Sequence, residues 1–95
     1  MKITDQILQN LKTLPLVSDH SLVQKNNLLV IHGDGYDVKV KVINATEVVI
    51  SKRWKLGIIG AIFSKQKGLR MKRLIESISE ALEKDGITIH SVVMV

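Results

Sequence analysis

The chain has 95 residues, 45% of them apolar and 24% charged, with a single proline and no cysteine. That composition describes one folded domain around one core, and it excludes disulfides, thiol catalysis and thiolate metal sites. The net charge is +5, yet eight basic residues (Lys52, Arg53, Lys55, Lys65, Lys67, Arg70, Lys72 and Arg73) stand between Glu47 and Glu76 with no acid among them, which leaves the remainder at −3. Segregation of this kind points to a local anion-facing surface, and the anions that fit are nucleic-acid phosphates, an acidic protein or an anionic membrane.

In chain order, Ile3, Ile7, Leu8, Leu11 and Leu14 fall at helical spacing behind Thr4 or Asp5 as an N-cap, and Pro15 stops the run. A first helix is expected over about Thr4 to Thr13. Leu22 to Gln24 is a candidate short strand before the Lys25-Asn26-Asn27 turn. Leu28 to His32 is a continuous apolar run, and Tyr36 to Ile43 alternates, with Val38, Val40 and Val42 on one face and Asp37, Lys39 and Lys41 on the other. Gly33-Asp34-Gly35 between them reads as a tight hairpin turn. A further strand runs from Glu47 to about Arg53 after Asn44-Ala45-Thr46, a sequon by pattern and a plain turn by context.

Trp54 to Phe63 is an apolar segment broken by Gly57 and Gly60. It reads as core filling, with a membrane-surface or partner-binding loop as the alternative. A second helix follows, with Leu69, Met71, Leu74, Ile75, Ile78, Ala81 and Leu82 as its buried stripe and Gly86 as its C-cap. Ile87 to Val95 is rich in β-branched residues and reads as a last strand, entering beside a meander strand through the helical crossover. The whole is an α+β two-layer sandwich in one domain, 1–95, with a mostly antiparallel sheet of four to five strands and two helices on one face.

The second helix is basic at its start (Lys67, Arg70, Lys72, Arg73) and acidic toward its end (Glu76, Glu80, Glu83, Asp85), opposite to what the helix macrodipole favours. An anion docking at the start would explain that order. The alternative is a solvated face on which Arg73 pairs with Glu76 or Ser77 and Glu80 with Lys84. His20, His32 and His90 have no metal-ligand spacing, and Asp34 and Asp37 suit turn chemistry better than a carboxylate pair. No serine lies in a nucleophile motif, and no cofactor motif is present.

Helix, strands and then a helix with a basic start, carrying Ser64-Lys65-Gln66-Lys67 at its entry, resembles the double-stranded RNA-binding domain in order of elements. That resemblance implies lysines presented to phosphates across a groove. The apolar segment before the helix and the strand after it depart from that family. Gly57-Ile58-Ile59-Gly60 has the GxxG spacing of the KH-domain loop, with isoleucines where that loop carries polar residues.

Three aromatic residues, Tyr36, Trp54 and Phe63, are too few for the stacking platforms of single-strand binders. The expected function is therefore a nucleic-acid-binding protein, not an enzyme, that contacts phosphates with the eight cations and needs no cofactor or metal. If five or six of them neutralise duplex phosphates, log affinity should fall with log salt at a slope of roughly −5. The alternatives are an assembly module meeting an acidic partner, or a membrane-surface protein. Without a signal peptide or an apolar run of ~20 residues, the cytosol is the expected address. The uncharged edge of Ile87 to Val95 is expected to be central or covered, in the simplest case by a second copy of the chain.

Overall fold

The buried apolar residues of the helices and of one face of the sheet meet in one layer of packing. A computed structural model describes residues 3–33, 35–54 and 65–93, and the side chains of 5–33, 35–53 and 68–90. The elements are α1 (Ile3–Lys12), α2 (Pro15–Ser18), β1 (Ser21–Lys25), β2 (Leu28–His32), β3 (Tyr36–Asn44), β4 (Glu47–Trp54), α3 (Lys65–Lys84) and β5 (Thr88–Val93). The five strands form one sheet in the order β1-β2-β3-β4-β5, antiparallel through β4, and β5 is parallel to β4 after the α3 crossover. This is the expected α+β sandwich, with the short strand at Leu22 to Gln24 extended to Ser21–Lys25.

The core draws Ile7, Leu8 and Leu11 from α1 and Val17 from α2. From the sheet come Leu29, Ile31, Tyr36, Val38, Val40, Val42, Val48 and Ile50, and from α3 Met71, Leu74, Ile78 and Leu82. Fully burying each aliphatic side chain is worth about 1.5–3 kcal/mol. Leu69, expected in the stripe, is 47% exposed. It precedes Met71 by two residues, which is 200° around a helix and therefore the far side.

Two helix starts differ from expectation. α1 begins at Ile3, so Thr4 and Asp5 stand inside the helix, and Asp5 acts as a first-turn carboxylate favourable to the macrodipole. Pro15 does end α1, but it also opens α2 at its first position, with Leu14 extended at φ −66°, ψ 133° as the N-cap. Proline is tolerated there because that N–H has no intrahelical partner to lose.

The turns follow from their residues. Asn26 takes φ 51° in the two-residue β1–β2 turn, and Asn27 continues the ladder by donating Nδ2–H to the Val42 carbonyl at 2.9 Å. Asn44 Oδ1 accepts from the Thr46 backbone N–H at 2.9 Å and from its hydroxyl at 3.0 Å, an Asx turn, as the plain-turn reading of that sequon expected. α3 ends in a Schellman motif: Gly86 at φ 76° donates to Glu83, and Ile87 donates to the Leu82 carbonyl at 3.0 Å.

β5 is an ordered strand over Thr88–Val93, and among the described residues it lies at the edge of the sheet, beside β4. It is not central, because the crossover delivers it outside the last meander strand. The Trp54 to Phe63 readings, the GxxG loop and Lys55 lie outside the described residues, apart from the backbone of Trp54 in β4.

Candidate anion-binding site

The eight cations do not share one face. Val48 and Ile50 point into the core, so strand alternation sends Lys52 to the helix-covered side, opposite Val38, and Arg53 to the open side, opposite Asp37. On α3, Arg70, Lys72 and Arg73 are all exposed. At 100° per residue from the Met71 and Leu74 stripe, Arg70 and Arg73 fall together on one flank and Lys72 on the other. Lys65 and Lys67 occupy the first turn of α3; their side chains, like Lys55, are outside the described residues.

What the topology does share out is an end. β4 finishes and α3 begins at the end of the sandwich that carries the β2–β3 hairpin, because a parallel crossover returns its helix antiparallel to the strand it leaves. Lys52, Arg53 and the starting turns of α3 therefore gather at that end, while Glu80, Glu83 and Asp85 stand toward the other.

At the hairpin end lies an open pocket of about 580 Å³. The α2–β1 junction contributes Leu16, Asp19, His20 and Ser21; the hairpin contributes His32, Gly33 and Tyr36; α3 contributes Arg70, Arg73 and Leu74. Tyr36 forms its floor, only 1% exposed. Its ring lies so close over Gly33 that any side chain there would run into it. His20 Nδ1 is 2.6 Å from the Leu16 carbonyl, which can only accept, so that nitrogen carries a hydrogen. In the neutral ring, Nε2 then accepts from the Tyr36 hydroxyl at 2.8 Å. The two rings are tilted at 58° with centroids 5.9 Å apart.

His32 Nδ1 pairs with Asp37 Oδ1 at 2.7 Å, which directs the other ring nitrogen away from the carboxylate. Arg70 and Arg73 make no ion pair or hydrogen bond with any described residue, and the pairing offered as the alternative, of Arg73 with Glu76 or Ser77 and of Glu80 with Lys84, does not form. The two arginines thus flank a pocket whose lining, among the described residues, holds one carboxylate, Asp19. Five donors on each planar guanidinium suit phosphate or carboxylate oxygens held bidentately.

Of this pocket, sequence reasoning found Arg70 and Arg73 and missed His20, His32 and Tyr36. The His32–Asp37 pair had a signal, since both residues flank the short hairpin turn and the strands place them opposite one another. His20 had none, because its partner is distant in sequence. His32 and His90 do not meet: His90 sits opposite Val49, with Nε2 3.9 Å from Glu47. Among the described residues no cluster of histidines and carboxylates could hold a metal ion, and no helix is long and apolar enough to cross a membrane. The open sheet face also carries Lys39 and Lys41, in register with Ser51 and Val49, outside the basic run singled out from sequence. Comparison with protein-family models, with characterised proteins and with solved structures gives no match.

Proposed function

We propose that the protein binds nucleic acid through its phosphates, with Arg70 and Arg73 as the principal contacts, assisted by Lys52 and Arg53 at the same end of the sandwich. The observation that carries this reading is a pair of adjacent arginines, one turn apart on α3, exposed and without an ion-pair partner among the described residues. Long cationic side chains left unpaired beside a pocket favour an external anion over internal stabilisation, since exposed ion pairs contribute only about 0–1 kcal/mol in any case.

The division of the cations between two faces lowers the number that one duplex can engage. Four contacts give a slope of log affinity against log salt of about −3.6, shallower than eight cations on a single face would give. Fluorescence anisotropy with duplex DNA, duplex RNA and a single strand across a salt series measures it. No binding to any of the three at about 50 mM salt rejects the proposal.

A second reading concerns assembly. β5 is an edge strand whose six residues, Thr88-Ile89-His90-Ser91-Val92-Val93, carry no Lys, Arg, Asp or Glu to discourage pairing. Pairing with β5 of a second copy would cover it symmetrically. Sedimentation showing only monomer at about 100 µM, well above weak-association constants, rejects this reading.

A further inference from the structure

We infer that the pocket between α2, the β2–β3 hairpin and α3 receives one unpaired base of the bound nucleic acid, while Arg70 and Arg73 hold the phosphates beside it. The inference deepens the phosphate-binding reading of the two arginines and rests on it. Contact with phosphates along a duplex needs only a surface, yet these arginines line a cavity of about 580 Å³. That volume is within the ~300–1,000 Å³ usual for small-ligand sites and is far more than a phosphate group fills.

The sheet decides which side chains can meet a ligand there. Ser21 and His32 are cross-strand partners that alternate with Leu22 and Ile31, both packed into the core layer, so their side chains turn to the open face, away from the arginines. Tyr36 turns the other way, into the core, and its hydroxyl holds His20 on the helix-covered side. His20 Nδ1 donates to the Leu16 carbonyl at 2.6 Å, and Nε2 accepts from the Tyr36 hydroxyl at 2.8 Å. With both nitrogens taken, the neutral ring has no hydrogen bond left for a ligand. It is fixed in one plane, and what it offers is a face.

An aromatic ring fixed in plane, in a cavity also lined by two guanidinium groups, suits an unstacked base, because bases stack on His rings and on Arg planes alike. Arg70 and Arg73 have no ion pair among the described residues to hold their planes elsewhere. Leu16, 42% exposed, adds an apolar wall, and Asp19 offers an acceptor for an exocyclic amine. A base within a duplex is stacked between its neighbours and shows no face to such a pocket; an unpaired base does. One pocket takes one base, in keeping with a chain too poor in aromatic residues for a run of stacking platforms.

The test is anisotropy competition with a short duplex, in DNA and in RNA, made fully paired, with one bulged adenine nucleotide, or with an abasic residue in place of that nucleotide, alongside free adenosine 5′-monophosphate. The bulged duplex is expected to bind about tenfold tighter than the paired one, the effect of one stacked base, and the abasic duplex to fall back to the paired value. His20→Gln keeps a donor for the Leu16 carbonyl and an acceptor for the Tyr36 hydroxyl but has no ring. With its fold checked by thermal melting, this variant is expected to bind bulged and paired duplexes alike. Equal affinity of bulged and paired duplexes for the natural chain overturns the pocket inference while the phosphate reading stands. A bulge preference that the abasic duplex retains also overturns it, whether or not the variant folds. Binding of the free mononucleotide without binding of any duplex supports the base pocket and rejects the nucleic-acid reading. No binding by any probe overturns both, and a base preference that survives His20→Gln with the fold intact overturns the assignment of His20.

Discussion

The two ends of this sandwich are built differently. At the far end, the polar groups of the turns are used internally: Asn44 holds the β3–β4 turn, Asn27 extends the β3 ladder, the Schellman motif closes α3, and the Thr88 amide donates to the Thr46 carbonyl at 2.7 Å. At the hairpin end, a pocket stays open and two arginines beside it have no described partner. A domain this small has little area for both tasks, so one end closes the fold and the other carries the pocket on which the proposed binding rests.

The sharpest break of that comparison is Arg70→Glu with Arg73→Glu. Both side chains are exposed and off the Met71, Leu74 and Ile78 stripe, so stability should stay within about 0.5 kcal/mol. They lie beyond the first turn of α3, where the macrodipole has faded, so no gain from the helix end is expected either. Nucleic-acid affinity should fall about 100-fold, with the salt slope shallower by about 1.8. Anisotropy and a denaturant melt on the same sample separate the two effects. Unfolding of the double variant would place these arginines in the structural framework and not in a binding site.

Gly33→Ala comes next. A methyl group there would enter the Tyr36 ring, which is buried and cannot give way without loosening its hydroxyl from His20. Overpacking of this kind costs about 1–3 kcal/mol. The pocket floor would shift with it, so binding and stability should fall together. Gly86→Ala supplies the contrast at the other end: the site has open space, and only the φ of 76° is strained by a side chain. About 1 kcal/mol of stability should be lost with no change in affinity. Equal loss of binding in the two variants would show that the ends are coupled.

Most of the framework was legible in the sequence because it depends on local rules. The α3 stripe from Met71 to Leu82, the alternation in β3 and the asparagine and glycine turns each follow from a spacing or a backbone preference. α2 was not legible, since Pro15–Ser18 is one turn long and too short to show a period. The pocket was hidden for a different reason: His20, His32 and Arg70 come from three separate elements, and only the folded topology brings them together. The separation of Lys52 from Arg53 could have been read, because neighbours in a strand always face opposite ways. Counting charges along the chain without applying that alternation merged two surfaces into one.

The smallest expected effect belongs to the open face of the sheet. Lys39 and Lys41 lie on the same strand face as Arg53 but further from the hairpin end, and there they offer a second cationic surface that the arginine pair does not reach. Lys39 is half-buried between Val30 and Ser51, which limits its reach, while Lys41 is exposed beside Leu28 and Val49. If phosphates dock at the hairpin end as proposed, Lys39→Glu with Lys41→Glu acts only through the long-range field, which salt screens within about 8–10 Å. Affinity should then change by less than about threefold near 0.15 M salt, and the effect should fade further as salt rises. A loss as large as that of the arginine double variant would move the interface from the pocket to the sheet. In that case the strands, and not the start of α3, would be the surface that meets the nucleic acid.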